Sequence, residues 1–75
     1  MFDMSLTESE RNIFPVRLKK LRGDTPPSVL AELCGIRRNA IGEYETGRSL
    51  PGFHSIIKLA DHFDVSVDFL LGREQ

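Results

Sequence analysis

The sequence has one cysteine, Cys34, and two histidines, His54 and His62. A lone cysteine can close no internal disulfide and build no cysteine metal cluster. Two histidines, even with Asp61 beside them, fall short of the three or four converging ligands that a tight metal site requires. No stretch approaches the roughly 20 consecutive apolar residues that span a bilayer. The first ten residues lack the basic start and apolar centre of a secretory signal, so the protein is expected in the cytoplasm and off the membrane. Strand-like alternation is missing throughout. So are a Gly-rich phosphate loop, a paired-carboxylate constellation and a Ser/His/Asp order. With 75 residues to build a cleft from, no enzymatic activity and no cofactor are expected.

What remains is a short, ordinary folding sequence. Apolar residues make up 40% and charged residues 28%, with a mean hydropathy of −0.22, well away from the polar, highly charged regime of disorder. One small domain is expected and no second, because a chain this short already buries only roughly 60% of the surface it exposes when unfolded. The formal net charge is −1, unlike the basic balance common in nucleic-acid binders. Its distribution is uneven: residues 1–10 carry −3, 11–22 carry +5, 23–47 carry −2, 48–60 carry +2 and 61–75 carry −3. The ends are acidic and the positive charge is internal.

Residues 1–12 read as a polar N-terminal arm with scattered Phe2, Met4 and Leu6, and residues 13–75 as the domain. Phe14, Leu18 and Leu21 recur at the helical period and predict a first helix over Phe14–Arg22, with Pro15 in its first turn. Gly23 and Asp24 break it. Thr25, followed by Pro26 and Pro27, reads as a helix cap with prolines in the first turn. Helix two then runs to about Cys34 and stops at Gly35. A third helix over about Arg38–Thr46 follows so closely that the two must cross steeply, the arrangement of a helix-turn-helix. Gly47 closes it, a loop holds Pro51, and a fourth helix spans about Phe53–His62 with Asp64 as a left-handed stop. Ser66 caps a short fifth helix that Gly72 ends.

Ile41 and Tyr44 share one side of helix three and face inward with Ile36. Arg38, Asn39, Gly42 and Glu43 are left on the outward side. An exposed polar face is usually just solvated surface, but these residue types have readout chemistry. Arginine pairs with guanine through its fork, asparagine with adenine N6 and N7, and glutamate accepts from cytosine N4.

The run Leu30-Ala31-Glu32-Leu33-Cys34-Gly35-Ile36, then Ile41, Tyr44-Glu45-Thr46-Gly47-Arg48 and Pro51, then Lys58-Leu59-Ala60-Asp61 and Val65-Ser66-Val67-Asp68-Phe69-Leu70-Leu71-Gly72 resembles the Cro and phage-repressor (Xre-like) helix-turn-helix family. The likeness covers roughly residues 14–72, including Arg17-Leu18-Lys19-Lys20-Leu21-Arg22. It implies an all-α, five-helix, lambda-repressor-like DNA-binding domain and a bacterial or phage transcriptional regulator of repressor type, commonly dimeric, with double-stranded DNA as partner. By resemblance, Arg38, Asn39 and Glu43 are the base-contacting positions. Arg37, Arg48 and Ser49 are the backbone-contacting ones, with Arg48 equally readable as plain solvated charge. Arg22 and Glu45 match an ion pair that links helix one to the recognition helix. Cys34 occupies an apolar position.

Two departures accompany the likeness. The family begins helix two with Thr or Ser and Gln, where this chain has Pro26 and Pro27, which cannot donate. Arg37 replaces the usual capping Ser or Thr. A second reading is therefore a helix-turn-helix scaffold serving as a protein-interaction module, with an antirepressor or toxin as regulatory partner. For a DNA-binding chain with a net charge of −1, a weak homodimer assembling on DNA is expected. Leu50, Phe53, Val67 and Phe69 are candidates for the contact, and Phe2 and Met4 further ones.

Overall fold

The computed structural model describes residues 6–73, which form five helices: α1 (Glu8–Arg22), α2 (Pro27–Cys34), α3 (Ala40–Glu45), α4 (Phe53–Phe63) and α5 (Val67–Leu71). Among the described residues there is no strand, and no helix is long and apolar enough to cross a membrane. The all-α class and the element order agree with the sequence reading. The residues Phe2 and Met4 lie outside the described part.

Helix α1 starts earlier than the apolar period predicts, at Glu8 instead of Phe14, and crosses the division expected between arm and domain. Its start is set by hydrogen bonding. The Glu10 amide donates to Thr7 Oγ1 at 3.2 Å and the Thr7 amide to Glu10 Oε1 at 2.9 Å, a reciprocal capping box. Leu6, just outside, is buried. Pro15 consequently sits in the helix interior and not in the first turn, where it withdraws the donor that Arg11's carbonyl would otherwise meet.

Helix α2 is capped by Pro26, not Thr25, without a side-chain bond. A residue before proline is pushed out of the helical region, so Pro26, at φ −57° and ψ 143°, stays extended and the helix opens on Pro27. Gly35 ends α2 at φ 69°, and the Ile36 amide donates back to Ala31 at 2.9 Å, folding the chain into the tight turn before α3. Helix α3 is shorter than the expected Arg38–Thr46. Arg38 and Asn39 form a turn ahead of it, with the Ala40 amide bonded to the Arg37 carbonyl at 2.9 Å. The helix holds only where Ala40, Ile41 and Tyr44 bury. Its end is a two-bond closure: Gly47 donates to Tyr44 at 3.3 Å and Arg48 to Glu43 at 2.9 Å.

Helix α4 runs one residue beyond the predicted end, and Asp64 takes the left-handed stop at φ 55°. Ser66 Oγ accepts from the Phe69 amide at 2.9 Å, the cap expected for α5. Helix α1 packs on α3 and α5, α2 on α3 and α4, and α4 on α5. Phe14, Leu18, Leu30, Ile41, Ile56, Leu59 and Leu70 fill the centre. Burying side chains of this size stabilises by about 1.5–3 kcal/mol each. Arg17 pins α1 to α5, donating to the Phe69 carbonyl and lying 4.4 Å from the centre of the Phe69 ring. These contacts leave one face of α3 against the core and the other outside.

Candidate nucleic-acid interface

Helix α3 is fixed from behind. The Phe14 ring from α1 lies 5.9 Å from the Tyr44 ring. At the end of α3, Arg22 Nε donates to Glu45 Oε2 at 2.7 Å and Nη2 to Oε1 at 2.8 Å. Their side chains are 14% and 9% exposed. Arg22 also donates to the Thr25 carbonyl at 3.0 Å. Hydrogen bonding to Glu45 holds the Arg22 guanidinium above its ordinary value against the opposing cost of desolvation. The pair expected from the resemblance is present, and it ties the end of α1 and the turn before α2 to the end of α3.

The outward side combines several expected residues. Arg38 and Asn39 are exposed in the turn that enters α3, and Arg48 is exposed just after it. With Pro27, Ser28, Gly42, Glu43 and Thr46 they line one open hollow of about 760 Å³ between the start of α2 and the outer face of α3. Ser28 and Thr46 escaped the sequence reading. Ser28 had a signal, being the first residue with a hydroxyl after the two prolines that displace the family's usual polar start. The Thr46 hydroxyl is already engaged, donating to the Gly42 carbonyl at 2.9 Å.

Arg37, Glu43 and Ser49 are joined to one another. Arg37 Nη1 donates to Glu43 Oε2 at 3.1 Å and Nη2 to Oε1 at 2.6 Å, while Ser49 Oγ donates to the same Oε1 at 3.2 Å. Hydrogen bonding from Arg37 is the main reason the Glu43 carboxyl is held below the usual carboxylate range, with a smaller contribution from Ser49. Reciprocally, Glu43 holds the Arg37 guanidinium above its ordinary value. One expected base contact and two expected phosphate contacts therefore meet at a single carboxylate.

The remaining reactive side chains lie elsewhere. Cys34 is buried beneath α4 and burial pushes its thiol up; His54 and His62 are exposed on α4. Among the described residues no group of three or more His, Cys, Asp or Glu side chains converges as a metal site.

A family model described as helix-turn-helix matches residues 17–70, from inside α1 to inside α5. Over 61 residues the chain is 39% identical to the SPbeta prophage-derived uncharacterized HTH-type transcriptional regulator YonR of Bacillus subtilis, a match covering 79% of this chain and 56% of that protein. It is 42% identical over 45 residues to the HTH-type transcriptional regulator AnsR of Bacillus subtilis, covering 60% of this chain and 39% of the relative. The cryptic phage CTXphi transcriptional repressor RstR of Vibrio cholerae is 36% identical over 44 residues, covering 59% and 39% respectively. The chain thus spans about half the length, or less, of these curated relatives. No solved structure matches it.

Proposed function

The chain belongs to the helix-turn-helix family, and from that premise we propose that it is a sequence-specific DNA-binding transcriptional regulator of repressor type. It acts by occupying a site on duplex DNA in the cytoplasm, not by catalysing a reaction. The observation that carries this reading is the exposed Arg38–Asn39 turn at the entry of α3, opening on the same hollow as Arg48. The N-terminal residues of a recognition helix are those that reach base edges in the major groove. Asn39 can pair with adenine and Arg38 with guanine, while Arg48, exposed on the same side, is assigned to a phosphate. The regulator and repressor names of the relatives agree with this reading.

The working form is a homodimer assembled on DNA. A short α3 reads few base pairs, and a net charge of −1 adds little attraction from phosphates. The candidates for the contact are narrowed by packing. Val67 lies against the core and Phe69 lies under Arg17, whereas Leu50, in the loop after α3, and Phe53, at the start of α4, are 44% and 54% exposed.

Binding measured across salt separates the roles. Arg38→Ala should weaken specific binding by about 1–3 kcal/mol and relax preference at one base pair. Arg48→Ala should weaken binding evenly across sequences and flatten the salt slope by about one unit. An Arg38→Ala protein that retains the parent's preference removes Arg38 from readout.

A further inference from the structure

The joined side chains Arg37, Glu43 and Ser49 lie on the face assigned to DNA, yet their hydrogen bonding is incompatible with each acting alone. An ionised carboxylate offers about four acceptor positions. Glu43 has filled three of them, two from Arg37 and one from Ser49. One acceptor position is left for a hydrogen bond from cytosine N4, on a carboxylate whose orientation Arg37 and Ser49 already fix; only by releasing Arg37 could Glu43 turn freely toward a base. It would then present an unpaired negative charge to the phosphates, and like charges brought together are costly. Closed, the pair carries no net charge, and Glu43 presents no uncompensated charge to the duplex.

Arginine grips Glu43 end-on, through Nη1 and Nη2. That geometry uses one hydrogen on each nitrogen and leaves the side edge of the guanidinium, Nε–H with the second Nη2 hydrogen, turned away from the carboxylate. This edge is itself a two-donor fork matched to a phosphate. The Arg37 side chain is 60% exposed and that of Glu43 only 30%, so the arginine is the outer partner. Arg22 uses its side edge, Nε and Nη2, on Glu45, which makes the difference in grip between the two pairs a difference in what each arginine has left to offer.

We propose that the Arg37–Glu43 pair stays closed on DNA, with Glu43 acting as the positioning residue that neutralises itself against Arg37 and aims the arginine's side edge at a phosphate, and not as a base reader. The inference rests on the DNA-binding reading of α3. It removes Glu43 from the base-contacting set and leaves readout to Arg38 and Asn39. Ser49 belongs to the same unit, as a donor to Glu43 and not to DNA.

The test is sequence selection from random duplexes, together with affinity on the selected site, for the wild type, Glu43→Gln, Arg37→Ala and the double variant. Circular dichroism checks the helical fold of each. Glutamine would pair with adenine if position 43 reads a base. The result expected is that Glu43→Gln selects the same bases as the wild type. Arg37→Ala should bind every duplex on the order of tenfold more weakly, through loss of a phosphate contact and exposure of the carboxylate. Adding Glu43→Gln to Arg37→Ala should then recover the part of that loss due to the stranded charge, leaving the part due to the missing phosphate contact. A shift of preference toward adenine at one base pair in Glu43→Gln overturns the inference, as does an Arg37→Ala penalty of equal size in both backgrounds. Either of those results leaves the DNA-binding reading intact, whereas a wild-type protein that enriches no duplex overturns both.

Discussion

Arg22 reaches Glu45 through two hydrogen bonds in a site where both side chains are largely shielded from water. Removing one partner strands the other charge, which costs about 3–5 kcal/mol for a fully buried pair. Since some water still reaches this pair, Arg22→Ala should lose about 2–3 kcal/mol in urea unfolding. Arg22→Met combined with Glu45→Leu should recover much of it. The outer pair gives a pH signature. The Glu43 carboxyl is held below its ordinary value, chiefly by Arg37. A carboxyl so depressed contributes its stabilisation fully above the unfolded pKa and loses it as pH falls through the lower folded one. NMR titration of the Glu43 side chain should find its midpoint below the usual carboxylate range of about 4, moving up in Arg37→Ala; an unmoved midpoint would mean that Arg37 does not hold it. The inner pair was legible in the sequence because matched types stood at matched positions. The outer one was not: Arg37 and Glu43 are not neighbours on one helix face, and the turn over Arg38 and Asn39 is what brings them together.

At the scale of elements, apolar spacing located helices one, two and four, the short connection after helix two located the third, and a cap and a glycine stop located the fifth; hydrogen-bonding chemistry decided where they begin and end. The start of α1 was missed because Glu8 to Asn12 carry no apolar period, although Thr7 and Glu10 already stood at capping-box spacing. The start of α2 was shifted because proline constrains the residue before it, which overrode the capping preference of Thr25. The ends were easier, since glycine or aspartate in left-handed geometry marks them directly at Gly35, Asp64 and Gly72. These stops are not equivalent in their surroundings. At Gly72, with φ +72°, an added Cβ would lie 2.6 Å from Ile13 Cδ1, while at Gly47, with φ +76°, nothing lies within 4 Å. Gly47→Ala should therefore cost about 1–2 kcal/mol, from the left-handed conformation alone. Gly72→Ala should cost about 1–3 kcal/mol more, because α5 must separate from α1 to make room. Thermal melting resolves the difference, since 1 kcal/mol shifts the midpoint by roughly 4–8 °C in a domain of this size. Equal shifts would mean that Ile13 yields without cost.

At the scale of the whole molecule, the positive charge of residues 11–22 is partly committed within the protein. Arg17 is held by Phe69 and Arg22 by Glu45, while Arg37 is balanced by Glu43. Arg38 and Arg48 remain exposed on the outer side of α3; on the proposed DNA-binding reading, specificity from a few base contacts would have to outweigh non-specific attraction to phosphates. In the proposed dimer, two copies related by a two-fold axis would answer that need, with recognition helices about 34 Å apart and half-sites roughly 10 base pairs between centres. The measurement that tests this most directly is selection of bound sequences from random duplexes by the purified protein. An enriched near-palindrome with that half-site spacing, whose preference weakens at one base pair per half-site in Arg38→Ala, is the result expected. Recovery of no enriched sequence would contradict the assignment of α3 as a reader of DNA.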